Sequence, residues 1–331
     1  MLKKITIGLI SLVAVCILIY FLGPKPLPPS TSTRVLDTFP SDLNKLEIAI
    51  NKSEIEIAGL KPDNQARIVW ADSTQKKKTK IAFLYIHGFS ASQEEGDPVA
   101  SNVAKKFGAN LYLARLSDHG IDAGDSTMLH FTADKAIKSV EEALTIAKAL
   151  GEEVHVMGTS FGGALSLYLA SKHPEIKSLT LYSPCIKLFD PNGELLDKPW
   201  GLKIAQTVKD GFFNDIVPKN DMQPKYWTMH YRLEAVVEVQ NFLTNIMTAE
   251  TFAKVKCPLY LGYFYKTEEI QDKVVSVPAL LDMYENLGSK TKEKQSFPAS
   301  NNHVLASYVL SEDTETVQNK TITFLEKIIN K

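Results

Sequence analysis

The chain has 331 residues, of which 44% are hydrophobic and 23% charged, and its formal net charge is -1. This composition is typical of a globular protein and excludes a largely disordered chain. The near-zero net charge also argues against a nucleic-acid-binding protein, because such proteins usually carry a broad basic surface. The one lysine run, Lys76-Lys77-Lys78, is interpreted as a solvated turn.

The N-terminal residues 1–23 are predicted to be a membrane anchor or a signal segment. Lys3 and Lys4 precede an uninterrupted apolar run, Ile5–Leu22, of about the length that crosses a bilayer. The proline-rich residues 24–40 then form an extended linker. Lysines before the span predict that the rest of the chain lies outside the cytoplasm, in the periplasm or extracellular space. If the segment is cleaved, we expect a secreted protein.

The cysteines carry no disulfide framework. Cys16 lies within the apolar run, and Val15 before it is not the small residue of a lipoprotein site. Cys185 ends one predicted strand and Cys257 begins the next parallel one, so the two residues are expected at opposite edges of the sheet. This distance argues against a disulfide bridge between them.

Strands and helices alternate over residues 41–185 and 257–331. Weak alternation in "KLEIAI", "EIEIAGL" and "ARIVWAD" predicts antiparallel edge strands. Nearly continuous apolar runs predict parallel strands that are covered on both faces: "KIAFLYIHG", "NLYLARLS", "EEVHVMG", "SLTLYSP" and "CPLYLGYF". Helical segments lie between most of these runs, and "KQSFPA" and a last helix close the chain. The sequence therefore predicts an α/β fold with a mostly parallel central sheet flanked by helices.

Residues 186–256 interrupt this alternation and are predicted to be an all-helical cap inserted after the sixth strand. Aromatic and methionine residues accumulate there among helical patterns: Trp200, Phe212, Phe213, Tyr226, Trp227, Met229 and Tyr231. They are expected to form a small core of the cap, and its inner face is expected to line an apolar pocket.

The segment "HVMGTSFGGALSLYLA", His155 to Ala170, joins an apolar strand to an apolar helix through a turn of small residues. Gly158 and Gly162 leave room for a sharp turn, at whose apex Ser160 takes a strained backbone conformation. This pattern predicts a nucleophilic serine at the positive end of a helix. The alternatives are a glycine turn with an incidental serine, or a phosphate-binding loop, which is disfavoured because no lysine follows the glycines.

A serine nucleophile needs a base, and the sequence holds seven histidines. His303 is the candidate because "SFPASNNHVLAS" lies after the last strand and before the final helix. Three others are interpreted as structural or solvated: His155, His173 and His230. His87 is expected to shape its loop, although it is an alternative base. A metal site from His119 and Asp125 is disfavoured because no third ligand accompanies them.

The orienting carboxylate is expected in the loop after "CPLYLGYF", which offers Glu268, Glu269 and Asp272. The backbone N–H groups of Phe161 and Phe89 are the candidate donors to an oxyanion. Phe161 follows the serine directly, and Phe89 lies in the loop after an earlier strand.

Four motifs together resemble the serine hydrolases of the α/β-hydrolase fold, especially the monoacylglycerol lipase and carboxylesterase branch with a helical cap. They are His87-Gly88-Phe89, Gly158-Thr159-Ser160-Phe161-Gly162, Asp272 before a valine pair, and Asn302-His303-Val304. The resemblance selects Asp272 as the acid of a Ser160–Asp272–His303 triad. It implies hydrolysis of a small or lipid-like carboxylic ester through an acyl-enzyme, with no cofactor and no metal. There are two alternatives: an amidase or peptidase with the same triad, and a non-catalytic binding protein on the same scaffold.

Overall fold

The computed structural model describes residues 2–329, except for the side chains of residues 2–4 and 8. The predicted segments 1–23 and 257–331 include three residues that lie outside the described residues: Met1, Asn330 and Lys331. So do the side chains of Lys3 and Lys4, on which the predicted orientation across a membrane rests.

A central sheet of seven strands forms the middle layer, in the order β1-β3-β2-β4-β5-β8-β9. β1 pairs antiparallel with β3, and the other neighbours pair in parallel. Two short strands, β6 and β7, form a separate antiparallel pair. The strands are β1 (Arg67–Val69), β2 (Thr79–Ile86), β3 (Asn110–Leu113), β4 (Gly151–Thr159), β5 (Ser178–Tyr182), β6 (Phe213–Asp215), β7 (His230–Arg232), β8 (Leu259–Tyr263) and β9 (Lys292–Ser296).

Helices cover both faces of this sheet, and the predicted fold class is confirmed. Helix α5 follows β4 and is buried on almost every face, which explains why its sequence is apolar throughout instead of amphipathic. The helices are α1 (Leu2–Phe21), α2 (Leu43–Ile55), α3 (Val99–Lys106), α4 (Ala133–Leu150), α5 (Ser160–Lys172), α6 (Gly201–Val208), α7 (Gln223–Tyr226), α8 (Leu233–Ile246), α9 (Ala249–Lys254), α10 (Val277–Asn286) and α11 (Thr314–Ile329).

Two predicted edge strands are wrong, because "KLEIAI" and the start of "EIEIAGL" form helix α2. The buried side chains of α2 are Leu46, Ile50 and Glu54, which recur every four residues and so lie on one helical face. Asp42 caps the helix by accepting a hydrogen bond from the Lys45 N–H. The insertion follows β5, the fifth described strand, and not a sixth strand as predicted.

The insertion over residues 186–256 is not all-helical. Besides α6, α7 and α8 it contains the β6–β7 pair, in which the rings of Phe213 and His230 stack 4.2 Å apart. Its last helix, α9, packs against α5 and α10 of the core layers, and its Phe252 belongs to the main hydrophobic core.

The N-terminal residues contact the insertion and α4. The Trp200 indole donates to the carbonyl of Ile19, and the Trp200 N–H donates to that of Pro24. Farther along, Arg34 forms an ion pair with Asp134 at 2.5 Å. Within residues 2–329, as far as their side chains are described, no helix combines the length and apolar character that crossing a membrane requires. The predicted membrane anchor is therefore unsupported.

Candidate active site

Ser160 lies at the junction of β4 and α5, where its backbone has a φ of +53°. This left-handed conformation is strained for a residue with a side chain, and strain is what the sequence predicts for the apex of the turn. A Cβ on Gly162 would lie 2.2 Å from the carbonyl oxygen of Ile86, and one on Gly158 would lie 2.5 Å from the hydroxyl of Ser166. Both positions therefore require glycine for the turn to close.

His303 and Asp272 meet at the same edge of the sheet. His303 Nδ1 lies 2.6 Å from Asp272 Oδ2, and Asp272 is only 1% exposed. The second oxygen, Oδ1, accepts hydrogen bonds from the N–H groups of Val274 at 2.8 Å and Val275 at 3.1 Å. The loop after β8 thus holds the carboxylate in one orientation, with one oxygen directed at the imidazole.

The two groups shift each other's pKa in opposite directions. Burial alone raises the pKa of Asp272, but the charge of His303 and the backbone N–H groups outweigh it, so the pKa is lowered. Burial alone lowers the pKa of His303, but the charge and hydrogen bond of Asp272 outweigh it, so the pKa is raised. The carboxylate therefore stays ionised and makes the imidazole a stronger base.

The other ring nitrogen of His303, Nε2, is buried and has no hydrogen-bond partner among the described residues. His303 and Ser160 line one cavity, although they form no hydrogen bond to each other in this structure. Hydrogen bonds between a catalytic serine and its base are often long in a free enzyme and shorten when substrate binds.

Of the three carboxylates in the acid loop, the structure brings only Asp272 to the histidine. Glu268 accepts a hydrogen bond from the Tyr265 hydroxyl, and Glu269 accepts one from Thr267. Both glutamates are exposed, so they form a solvated surface of the loop.

The two candidate oxyanion donors lie beside the serine. Phe161 is the second residue of α5, and the N–H groups of a first helical turn have no partner within the helix. The Phe89 N–H has no acceptor among the described residues. The side chains of both residues are fixed by the insertion, since the Phe89 ring packs edge-on against Tyr231 at 5.3 Å and the Phe161 ring against Phe242 at 5.2 Å.

The remaining candidate histidines lie away from the serine or have structural partners. Burial lowers the pKa of His87 to about 4, and its neutral ring accepts a hydrogen bond from the Leu116 N–H, which links its loop to the next strand's loop. His119 pairs with the carbonyl of Ser117. His155 contacts Ser178, His173 contacts Glu175, and His230 contacts Asp215. Within residues 2–329 no group of three or more His, Cys, Asp or Glu side chains could hold a metal ion.

The cavity beside Ser160 has a volume of about 530 Å³ and is bounded by the sheet edge and the insertion. Trp227 and Tyr231 line it, as the sequence predicts for the aromatic residues of the cap, whereas Phe212 is exposed. Most of its other walls are apolar, and they include Leu188, Ile216, Val236 and Val239.

One residue of this cavity, Glu95, has no functional signature in the sequence. It is a buried carboxyl group that follows the Phe89 loop in a short polar segment, "SQEEGD". The only signal was its spacing of seven residues from Gly88, which does not indicate burial.

Part of the chain is similar to known proteins. Residues 81–223 match the family described as alpha/beta hydrolase fold. A thermostable monoacylglycerol lipase of Bacillus sp. (strain H-257) is 36% identical over 96 residues, which are 29% of this chain and 37% of that protein. Lipase 3 of Moraxella sp. (strain TA144) is 31% identical over 132 residues, which are 40% of each chain. The chain thus matches about two fifths of the length of these curated relatives.

Solved structures extend the likeness over most of the chain. One of the metagenome-derived lipolytic enzymes LipS and LipT superposes with a TM-score of 0.65 at 19% identity, covering 81% of this chain and 99% of that one. A soluble variant of the Saccharomyces cerevisiae monoglyceride lipase gives a TM-score of 0.61 at 14% identity, over 80% of this chain and 91% of that one. The chain therefore has the α/β-hydrolase fold, and the resemblance identified from its motifs is confirmed.

Proposed function

We propose that this protein is a serine hydrolase that cleaves carboxylic esters through an acyl-enzyme on Ser160. The observation that carries the proposal is the orientation of His303, whose Nδ1 is bound to Asp272 while its Nε2 is unpaired in the cavity that Ser160 also lines. This is the arrangement in which an imidazole accepts the proton of a serine hydroxyl.

In the proposed reaction, Ser160 Oγ attacks the ester carbonyl as its proton passes to His303 Nε2. Asp272 holds the imidazole in the required tautomer and stabilises its positive charge. The N–H groups of Phe89 and Phe161 donate to the oxyanion, and each such donor contributes about 3 kcal/mol to transition-state stabilisation in related enzymes. His303 then protonates the alcohol, and a water molecule repeats the sequence to release the acid.

The cavity supports an ester with an apolar acyl group. A volume of about 530 Å³ lies within the range of sites for small organic ligands, and most of the surface area of the wall is apolar. The monoacylglycerol lipase and the lipases to which the chain is similar support the same substrate class.

The experiment is hydrolysis of a graded series of p-nitrophenyl esters by the full chain, with a chemically matched amide beside them. We expect hydrolysis of the esters and its loss in Ser160→Ala and His303→Gln. The control is Ser171→Ala, which removes a hydroxyl from the same helix α5, where it contacts the Tyr168 carbonyl instead of the cavity.

Each alternative predicts a different result. An amidase or peptidase would cleave the matched amide at a rate comparable with the ester. A non-catalytic binding protein would hydrolyse neither, and Ser160→Ala would behave as the parent.

A further inference from the structure

A second carboxyl group besides that of Asp272 lines the active-site cavity, that of Glu95, and it has no role in the reaction proposed above. It lies in the short turn Gln93–Gly96, directly after the Phe89 loop, and is 2% exposed. Its Oε2 accepts a hydrogen bond from the N–H of Gly88 at 2.5 Å. A buried carboxyl costs free energy to desolvate, so its position beside the reacting groups requires an explanation.

Gly88 lies close to both this carboxyl group and the nucleophile. A Cβ built on Gly88 would lie 2.9 Å from the Cβ of Ser160 and 3.0 Å from each oxygen of Glu95. Since Ser160 and Glu95 both have atoms within 3.0 Å of this one point, the carboxyl is in the immediate surroundings of the serine. Gly88 is also the residue before Phe89, so its N–H bond to Glu95 fixes the start of the oxyanion loop.

Glu95 also faces His303, and its negative charge raises the pKa of that imidazole. Asp272 raises the same pKa by a larger amount, whereas the charge of Lys219 lowers it. Around Glu95 itself, the titratable or polar groups are the Tyr85 hydroxyl, the Trp227 indole and the Gly88 N–H. Burial raises the pKa of Glu95 to about 7, although Gly88, His303 and Trp227 favour its ionised form.

We propose that Glu95 is a positioning residue for the ester hydrolysis proposed above. Its hydrogen bond to Gly88 holds the loop so that the Phe89 N–H faces the oxyanion, and its carboxylate stabilises the imidazolium of His303. The inference rests on the proposed function, because both effects act on groups of the proposed mechanism.

The first test measures the protonation of His303 directly, without substrate. The full chain is labelled with ¹³C-histidine, the His303 resonance is assigned with His303→Gln, and its NMR titration is compared between the parent and Glu95→Gln. We expect the midpoint to fall in Glu95→Gln by on the order of one pH unit, since one negative charge near the imidazole is lost. An unchanged midpoint would overturn the electrostatic part of the proposal.

Glu94→Gln is the matched control because it removes the same charge from the adjacent residue. Glu94 accepts a hydrogen bond from the Tyr308 hydroxyl at the surface and is not among the groups that shift the His303 pKa. We expect the His303 titration midpoint in Glu94→Gln to equal that of the parent. An equal shift in both variants would mean that general charge, not the position of Glu95, is responsible.

The second test separates positioning from simple stability. Glu95→Gln keeps an oxygen that can accept the Gly88 N–H bond, whereas Glu95→Ala does not. We expect kcat for a short-chain ester to fall by about 10²-fold in Glu95→Ala and by less in Glu95→Gln, with KM nearly constant. The acid limb of the pH profile of kcat/KM should move to lower pH in both Glu95→Ala and Glu95→Gln, because both variants lack the negative charge near His303. A kcat equal to or above that of the parent in Glu95→Ala would overturn the positioning role.

The two proposals fail in distinguishable ways. If the parent hydrolyses no ester, the proposed function is wrong and Glu95 loses its positioning role, while the NMR midpoints still decide whether its charge acts on His303. If the parent is active, and Glu95→Gln has the midpoint and acid limb of the parent while Glu95→Ala has its kcat, only the inference about Glu95 is wrong.

Discussion

Replacing Asp272 by asparagine removes the charge beside His303 while it preserves the shape of the side chain. Because Oδ1 accepts hydrogen bonds from the N–H groups of Val274 and Val275, the carbonyl oxygen of the new amide must occupy that position. The amide NH₂ then takes the place of Oδ2, which lies 2.6 Å from His303 Nδ1. Nδ1 must now accept a hydrogen bond, so the ring proton moves to Nε2.

A histidine protonated at Nε2 cannot accept the proton of Ser160. In serine hydrolases of this type the wrong tautomer lowers kcat by roughly 10⁴-fold, which corresponds to about 5 kcal/mol of transition-state stabilisation. We expect a loss of this size in Asp272→Asn. KM should change little, because Asp272 acts on His303 and not on the bound ester.

The assay is the pH dependence of kcat and KM for a short-chain p-nitrophenyl ester, measured with the full chain. Glu269→Gln is the control, since it removes an exposed carboxylate from the same loop. The reasoning is refuted if Asp272→Asn keeps a kcat within about tenfold of the parent, or if Glu269→Gln loses as much activity.

Two further predictions concern the scaffold. In Gly162→Ala the new Cβ would lie 2.2 Å and 2.4 Å from the backbone oxygens of Ile86 and His87, so we expect a loss of at least about 3 kcal/mol of stability by thermal unfolding. Gly108→Ala, with a φ of +58° and open space around it, should lose only about 1 kcal/mol, and equal losses would contradict the packing argument. Stability should also fall as the pH decreases from 6.5 towards 4, because burial lowers the pKa of His155 from 6.5 to about 4 and the unfolded chain therefore binds more protons in this window. His155→Asn should reduce this pH slope in denaturant titrations by up to about 1.4 kcal/mol per pH unit, and an unchanged slope would show that His155 does not titrate as inferred.

The parallel strands and the serine turn could be predicted because burial on both faces leaves a clear sequence pattern. The run "VHVMG" is nearly continuously apolar, since β4 lies in the middle of the sheet between β2 and β5. The glycines around Ser160 are required by contacts of their own turn with the β2 strand end and with α5. Such local constraints are visible in the sequence without knowledge of distant contacts.

Helix α2 was misread because its charged and apolar residues alternate for a few positions, as in a strand. Only Leu46, Ile50 and Glu54 are buried, and Glu54 is buried because it pairs with Arg115 from the loop after β3. A buried glutamate with a distant partner cannot be recognised from local periodicity. The Asp42 cap was the signal that favoured a helix.

Glu95 was missed for the same reason. Its neighbours in sequence are polar, and its carboxyl group interacts with Gly88, Trp227 and His303, which come from three separate segments of the chain. The predicted bounds of the insertion rest on its lack of strong strands, and the β6–β7 pair is too short to leave a pattern.

The most direct test of the account is the site of covalent modification by a fluorophosphonate, mapped by peptide mass spectrometry on the full chain. We predict one adduct, on Ser160, that forms much more slowly in Asp272→Asn and is absent in Ser160→Ala. A parent protein that remains unmodified at Ser160, or that reacts equally well without His303, would contradict it.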